Sequence, residues 1–247
     1  MLEASRKPTF VIPAPPVEGG FTAFLAQALT VAAKDVRAEL RSRDAVSGSL
    51  VFALLVLVIF NFAFDLEGEM SEVAGPGVLW VAIAFAGMMG LGHVFARERE
   101  QGGLQGLLLA PMDRSAIFVG KVTAALLLTF VLELFLLPLF AAFANVSILS
   151  LGLLAVVVLG TVGFVTVGTL FSAMAVTTRS RELLLPLLLL PVAAPVLIAA
   201  VEGTRFVLEG EPWSELLPAL GVLAAFDVVF VALCPFLFEY VMEEMAA

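Results

Sequence analysis

Six apolar runs, near residues 45–64, 75–96, 115–143, 149–176, 183–201 and 216–241, limit what this chain can become. A helix needs about 20 residues to cross a hydrocarbon core of ~30 Å, and each run is close to that length or exceeds it. Six transmembrane helices are therefore predicted. Composition points the same way. The chain is 61% hydrophobic and only 14% charged, whereas soluble domains run near ~45–50% and ~25%. The fold class expected is an all-α integral membrane protein.

The charges then orient the six helices. With the N-terminus inside, the inner segments and inner span ends hold Arg6, Lys7, Lys34, Arg37, Arg41, Arg43, Arg97, Arg99, Arg114, Lys121, Arg179 and Arg181. Of the 13 basic residues only Arg205 falls outside. Cytoplasmic loops carry the excess of Lys and Arg, so both termini are predicted to be cytoplasmic. Acids gather on the other side: Asp65, Glu67, Glu69 and Glu72 in the first outer loop, Glu202, Glu209, Glu211 and Glu215 in the last. Trp80 and Trp213 fall near that outer boundary, where amphipathic rings prefer to sit.

Residues 1–20 hold four prolines and no apolar core, so they read as a disordered lead-in instead of a signal peptide. Residues 21–44 are periodic. Phe21, Phe24, Leu25, Ala28, Leu29, Ala32, Val36 and Leu40 share one helical face, with Gln27, Lys34, Asp35, Arg37 and Arg41 mostly off it. Basic residues beside an apolar stripe, directly before a span, predict an interfacial helix along the cytosolic leaflet. Residues 45–247 form the six-helix membrane domain.

Between the second and third runs lies the polar segment 97–121. It opens with Arg97, Glu98, Arg99 and Glu100, passes a glycine pair, and continues into a short patch where Leu104, Leu107 and Leu108 repeat at helical spacing. Pro111 ends that patch, because its ring clashes with the preceding turn and it lacks a donor. A short amphipathic helix held between spans on the basic side suits contact with a cytosolic partner.

Several residues inside the spans stand out. Small residues four apart (Ala86 with Gly90, Gly92 with Ala96, Gly168 with Ser172) would let helices approach closely. Pro186, Pro191 and Pro195 deprive the carbonyls of Glu182, Leu187 and Pro191 of helical partners, as a fixed kink or a flexing element. Glu133 and Asp227 lie near mid-membrane, where an ionised carboxylate costs ~2.5–3.5 kcal/mol. They should face the bundle or carry a proton, either as packing contacts or as a polar patch coupling two conformations. His93 suits the C-terminal turn of the second span.

The segment 98–111 resembles the coupling helix of the CcmB family (haem exporter protein B), the permease of the cytochrome c maturation ABC transporter. The family's pattern runs E-x-E-x-G-[ST]-L-E-x-L-L-L-x-P, then Gly-Lys. Here it reads Glu98, Glu100, Gly102, Leu104, Leu107, Leu108, Leu109, Pro111, then Gly120 and Lys121. Gly103 replaces the hydroxyl residue and Gln105 the acid. Gly caps a helix slightly less well, by about a few tenths of a kcal/mol. The resemblance extends from Lys34 to about Glu244, through a Lys-Asp-x-Arg-x-Glu lead-in (Lys34 to Glu39), a Pro-Gly-x-Leu-Trp stretch (Pro76 to Trp80) and a proline-rich fifth span.

The resemblance implies an ABC-2-like exporter permease with the ATPase contact at Glu98, Glu100, Gly102, Leu104, Leu107, Leu108 and Pro111. It implies a bacterial inner-membrane homodimer, a CcmA-like ATPase that binds the ATP, CcmC- and CcmD-like membrane proteins and a CcmE-like haem chaperone. Haem is then cargo of the complex, with no cofactor on this chain and no nucleic-acid partner. The residues themselves agree in part. Ser115 and Val122 stand where a phosphate-binding loop around Gly120-Lys121 needs Gly and a hydroxyl, and no hydrolase motif is present. This subunit is therefore expected to be non-catalytic. One Cys, one His and one Tyr leave few axial haem ligands, His93 with Met174 being the combination left open. Two other readings remain: a permease exporting lipid, polysaccharide or drug, and a non-ABC scaffold or channel.

Overall fold

The computed structural model describes residues 20–42, 44–64, 69–96, 112–144, 150–176 and 181–246. Its helices are α1 (Phe21–Ser42), α2 (Asp44–Phe64), α3 (Glu69–His93), α4 (Arg114–Ala144), α5 (Leu151–Val176), α6 (Arg181–Leu208) and α7 (Trp213–Ala246). All but α1 are long and apolar enough to cross a membrane. The protein is a multi-pass membrane protein, and no strand occurs among the described residues. One end of the bundle carries Lys34, Arg37, Arg41 and Arg114 (the basic end). The other carries Glu202, Glu209, Glu211 and Glu215, all exposed (the acidic end).

Local signals start and stop these helices. Asp113 Oδ1 accepts the backbone N–H of Ser115 at 2.8 Å and opens α4. Ser150 Oγ accepts that of Leu153 at 3.0 Å and opens α5. Both satisfy donors that the first turn leaves free. Glu39 reaches out of α1 to accept the N–H of Val46 at 3.0 Å, so α1 caps the helix that follows it.

The fifth span is longer than its hydropathy implied. Helix α6 continues beyond the predicted end at 201 to Leu208, through Glu202 and Arg205. Those side chains point outward, Arg205 pairing with Glu209 at 3.5 Å, while Gly203 and Thr204 turn inward. A helix ends where its backbone bonds end, and here that is Gly210, with φ of 72°. The N–H of Gly210 donates to Val207 and that of Glu211 to Phe206, the paired bonds of a Schellman motif. Only residues 209–212 separate α6 from α7. Helix α6 also stays helical through Pro186, Pro191 and Pro195, the last two exposed on its outer side.

Helix α5 is the centre. Its buried residues lie on every side, and it packs against α3, α4, α6 and α7. Helix α3 runs parallel to it, and the two mesh through small residues. Trp80 sits in the notch at Gly160, Phe164 in the notch at Gly87, and Leu91 in the notch at Gly168. Ser172 Oγ donates to the Leu91 carbonyl at 2.6 Å and closes the seam. The expected Gly168–Ser172 pair is therefore a true packing surface. Gly92 is exposed with nothing beside it, and Gly90 meets only Ser49 Oγ, so neither predicted pair in α3 forms a tight seam.

Trp80 also departs from expectation. It is 1% exposed, and Nε1 donates to Thr204 Oγ1 at 2.9 Å. The absent side chain of Gly160 and the extra turn of α6 together make an interior slot with a hydrogen-bond acceptor, so the ring belongs to the core and not to a lipid-facing belt. Trp213 does remain half exposed. Gly160→Ala should force a methyl into the Trp80 ring and lower the unfolding free energy in detergent by about 1–3 kcal/mol. Trp80→Leu in the same chain should recover part of that loss. Unchanged thermal unfolding of Gly160→Ala would contradict the seam.

Candidate functional site

The residues predicted to meet an ATPase, Glu98, Glu100, Gly102, Leu104, Leu107, Leu108 and Pro111, lie outside the described residues. What the structure describes is the frame that holds the two ends of that segment, built from α1, α3, α4 and α7.

Lys121 is the centre of the frame. It lies well inside α4 and is 1% exposed. Its Nζ pairs with Asp35 Oδ2 at 2.9 Å, donates to the Val94 carbonyl at 3.0 Å and lies 4.9 Å from the centre of the Phe95 ring. A carboxylate, a carbonyl and an aromatic face together compensate an ammonium removed from water. Val94 and Phe95 directly follow α3, so Lys121 ties the end of α3 to α4 and, through Asp35, to α1. Lys34 binds the other oxygen of the same carboxylate at 3.2 Å.

Gly120 explains why α1 can lie so close. A Cβ there would stand 2.5 Å from the Ala28 carbonyl and 2.7 Å from Val31 Cβ. Gly120-Lys121 thus acts as a docking pair, glycine for close approach and lysine for the ion pair. The start of α4 is held as firmly. The Asp113 N–H donates to Gln27 Oε1 on α1 at 3.2 Å. Ser115 Oγ donates to Glu239 on α7 at 2.7 Å, and Arg114 pairs with Glu243 at 3.0 Å. A displacement of the segment would therefore pull on α1, α3, α4 and α7 together.

The two intramembrane acids take positions on either side of α5. Glu133 is 2% exposed, and one of its oxygens accepts the hydroxyl of Thr161 while the other has no partner. Asp227 is 8% exposed, and Oδ1 abuts the bare backbone of Gly163, where a Cβ would lie only 2.6 Å away. Neither Asp227 oxygen is hydrogen-bonded. Both acids face the bundle, as their cost in lipid requires. Only Glu133 forms the hydrogen-bonded packing contact expected of it.

His93 ends α3, where its Nδ1–H donates to the Met89 carbonyl at 2.8 Å. Met88 is buried and Met89 is 40% exposed, the divergence that a ~100° step per residue imposes. Among the described residues, no group of three or more His, Cys, Asp or Glu is placed to hold a metal ion.

Sequence reasoning overlooked the Asp35–Lys121 pair, although a signal was present. A lysine seven residues into an apolar run needs a partner, and Asp35 and Glu39 were the two acids set among Lys34, Arg37 and Arg41. Removing Asp35 alone leaves Lys121 buried without its carboxylate. Asp35→Leu should therefore cost about 3–5 kcal/mol of stability in detergent. The double variant Asp35→Leu/Lys121→Met should regain most of it. A single variant as stable as the parent in thermal unfolding would remove the latch from this account.

Comparison with known proteins adds the family. The model of the family described as CcmB protein matches residues 26–244. The chain is 31% identical over 204 residues to "Heme exporter protein B" of Rhodobacter capsulatus, covering 82% of this chain and 92% of that protein. It is 30% identical over 198 residues to the protein of that name from Pseudomonas aeruginosa, covering 78% and 87%. The Paracoccus denitrificans protein of that name is 30% identical over 204 residues, covering 82% and 92%. Six helices able to span a membrane, a bonded frame at their basic end, and a sequence that matches over nearly its whole length lead to one placement: the chain belongs to the CcmB family.

Proposed function

We propose that this protein is the membrane permease subunit of an ABC transporter complex for haem handling in cytochrome c maturation, and that it converts closure of a separate ATPase into helix movement. The observation that carries the coupling role is the frame of described residues on either side of 97–111, in which Val94, Asp113, Arg114, Ser115 and Lys121 tie α1, α3, α4 and α7 together. A push that reaches these flanking residues passes into all four helices. The bundle is then a two-state element biased by a partner.

In this reading the basic end faces the cytosol of a bacterium, since Lys and Arg mark cytoplasmic loops. Both termini lie there, and Glu98, Glu100, Gly102, Leu104, Leu107, Leu108 and Pro111 meet a CcmA-like ATPase, which binds and hydrolyses the ATP. Helix α1 lies along the inner leaflet. It buries Ala28, Val31 and Ala32 on α4, and leaves Phe21, Leu25 and Leu29 exposed to lipid on the adjoining face. Two copies of the chain pair in the complex, with CcmC- and CcmD-like proteins and a CcmE-like haem chaperone as neighbours. Glu133 and Asp227 flank α5 and exchange contacts as that helix shifts.

Two measurements test this. Leu107→Asp/Leu108→Asp should leave membrane insertion intact, because the segment lies outside the apolar core. It should lose the co-purifying ATPase and abolish cytochrome c assembly in cells. Full ATPase retention by the inserted double variant would end the coupling assignment. Orientation is read separately, in a Cys234→Ser background. Glu69→Cys and Glu209→Cys should react with an impermeant maleimide in intact cells, and Gln105→Cys and Ser180→Cys only after permeabilisation. The opposite pattern would invert the topology.

A further inference from the structure

A cavity of about 230 Å³ lies among α1, α2, α3 and α4, behind the Lys121 latch. Its rim is polar: Lys34, Asp35, Glu39, His93 and Lys121. Its wall is made of small residues on facing helices, Gly87 and Gly90 of α3 with Ala124 and Ala125 of α4. Its floor is Leu128 and Leu132. From Lys121 to Leu132 is eleven residues of helix, or ~16 Å at the standard rise. That is about half of a ~30 Å hydrocarbon core, the depth of one leaflet. The polarity falls along the cavity as it does along a lipid, charged at the interface and apolar beneath.

Between rim and floor stands Ser49. It is 2% exposed, and its hydroxyl has no hydrogen-bond partner. Gly90 faces it across a gap that a methyl would just fill: a Cβ on Gly90 would stand in ordinary contact with Ser49 Oγ, at 3.9 Å. A buried hydroxyl left unpaired costs free energy, so an acceptor brought to it gains what the protein lacks. Rim charge narrows the choice further. Two lysines and two carboxylates balance there, which matches a headgroup carrying both an ammonium and a phosphodiester better than a purely anionic one. At about 230 Å³ the space lies between the ~150 Å³ that encloses a benzene and the ~300 Å³ of the smallest drug-sized sites, so it has room for one segment of a larger molecule, such as an acyl chain, and not for the whole of it. A molecule that leaves part of itself in the bilayer fits.

We propose that this cavity binds one phospholipid of the basic-end leaflet, of the phosphatidylethanolamine class. The headgroup lies across Lys34 and Glu39, an ester carbonyl accepts from Ser49, and one acyl chain lies along the glycine–alanine wall toward Leu132. The site serves the α1–α4 contact directly, since the lipid fills the space beside the Lys121 latch. It depends on insertion in a membrane but on no assumption about cargo or partner.

Native mass spectrometry and lipid extraction of the full-length protein, purified in mild detergent, test the site. Labelled phosphatidylethanolamine or phosphatidylglycerol supplied in vesicles gives the affinities. About one phosphatidylethanolamine per chain should survive washing that strips bulk lipid. Ser49→Ala should weaken its retention by roughly 2- to 10-fold, the range of one hydrogen bond. Gly90→Leu should fill the groove and remove the lipid; if that variant fails to fold, Ser49→Ala decides alone. No retained lipid, equal retention of phosphatidylglycerol, or unchanged retention in Ser49→Ala would each overturn the proposal. So would a Soret band from the isolated subunit that disappears in His93→Ala, since haem would then occupy the rim.

Discussion

Lipid tails are as apolar as leucine, so burying a helix face against another helix gains little from the hydrophobic effect. Association depends on close fit and on polar groups meeting partners. This protein meets that constraint around α5. Bare backbone at Gly160 and Gly168 admits Trp80 and Leu91 from α3, and Gly163 admits Asp227 from α7. Each notch lets two helices approach more closely than ordinary side chains allow. Two core clusters assemble on this arrangement, one around Trp80 and Phe140 toward the acidic end, the other around Phe95, Phe118 and Phe238 toward the basic end.

Buried polar groups pin the same arrangement at a few points. Trp80 with Thr204 ties α3 to α6, Ser172 with Leu91 ties α5 to α3, and Glu133 with Thr161 ties α4 to α5. The first two join helices that are not neighbours in sequence, and each of the three is costly to break in a medium that offers no water in exchange. Asp227, Thr166 and Ser49 are exceptions, buried with oxygens unpaired, as is the second oxygen of Glu133. Asp227 lies on α7 against the bare backbone of Gly163, Thr166 on α5 itself, and Ser49 on α2 beside the cavity.

At the basic end the polar contacts change character from pins to a frame. Lys121 draws together α1, α3 and α4, while Arg114 and Ser115 add α7. The surrounding helices thereby become one mechanical unit, fed by the segment between Ala96 and Met112. The cavity beside the latch lies among α1, α2, α3 and α4, so a lipid there would stiffen α1 against α4.

The sequence by itself determined the six spans, the single helix before them and the clustering of positive charge, because those follow from local hydropathy, periodicity and charge. It also exposed the small-residue face of Gly168 and Ser172. Membership of the CcmB family was legible in a short motif whose residues 98–111 lie outside the described structure. What only the tertiary structure decided is which marked residue meets which. Trp80 looked like an interfacial anchor until Gly160 and Thr204, far along the chain, proved to enclose it. Helix α6 outran its apolar stretch because Gly203 and Thr204 face inward while Glu202 and Arg205 face out, a distinction that averaged hydropathy erases. Asp35 and Lys121 read as two scattered charges, for pairing across 86 positions is set by how α1 lies on α4, and that depends on a missing side chain at Gly120. Hydropathy is a property of one segment, whereas notches and ion pairs are properties of two, and only folding brings the second to the first.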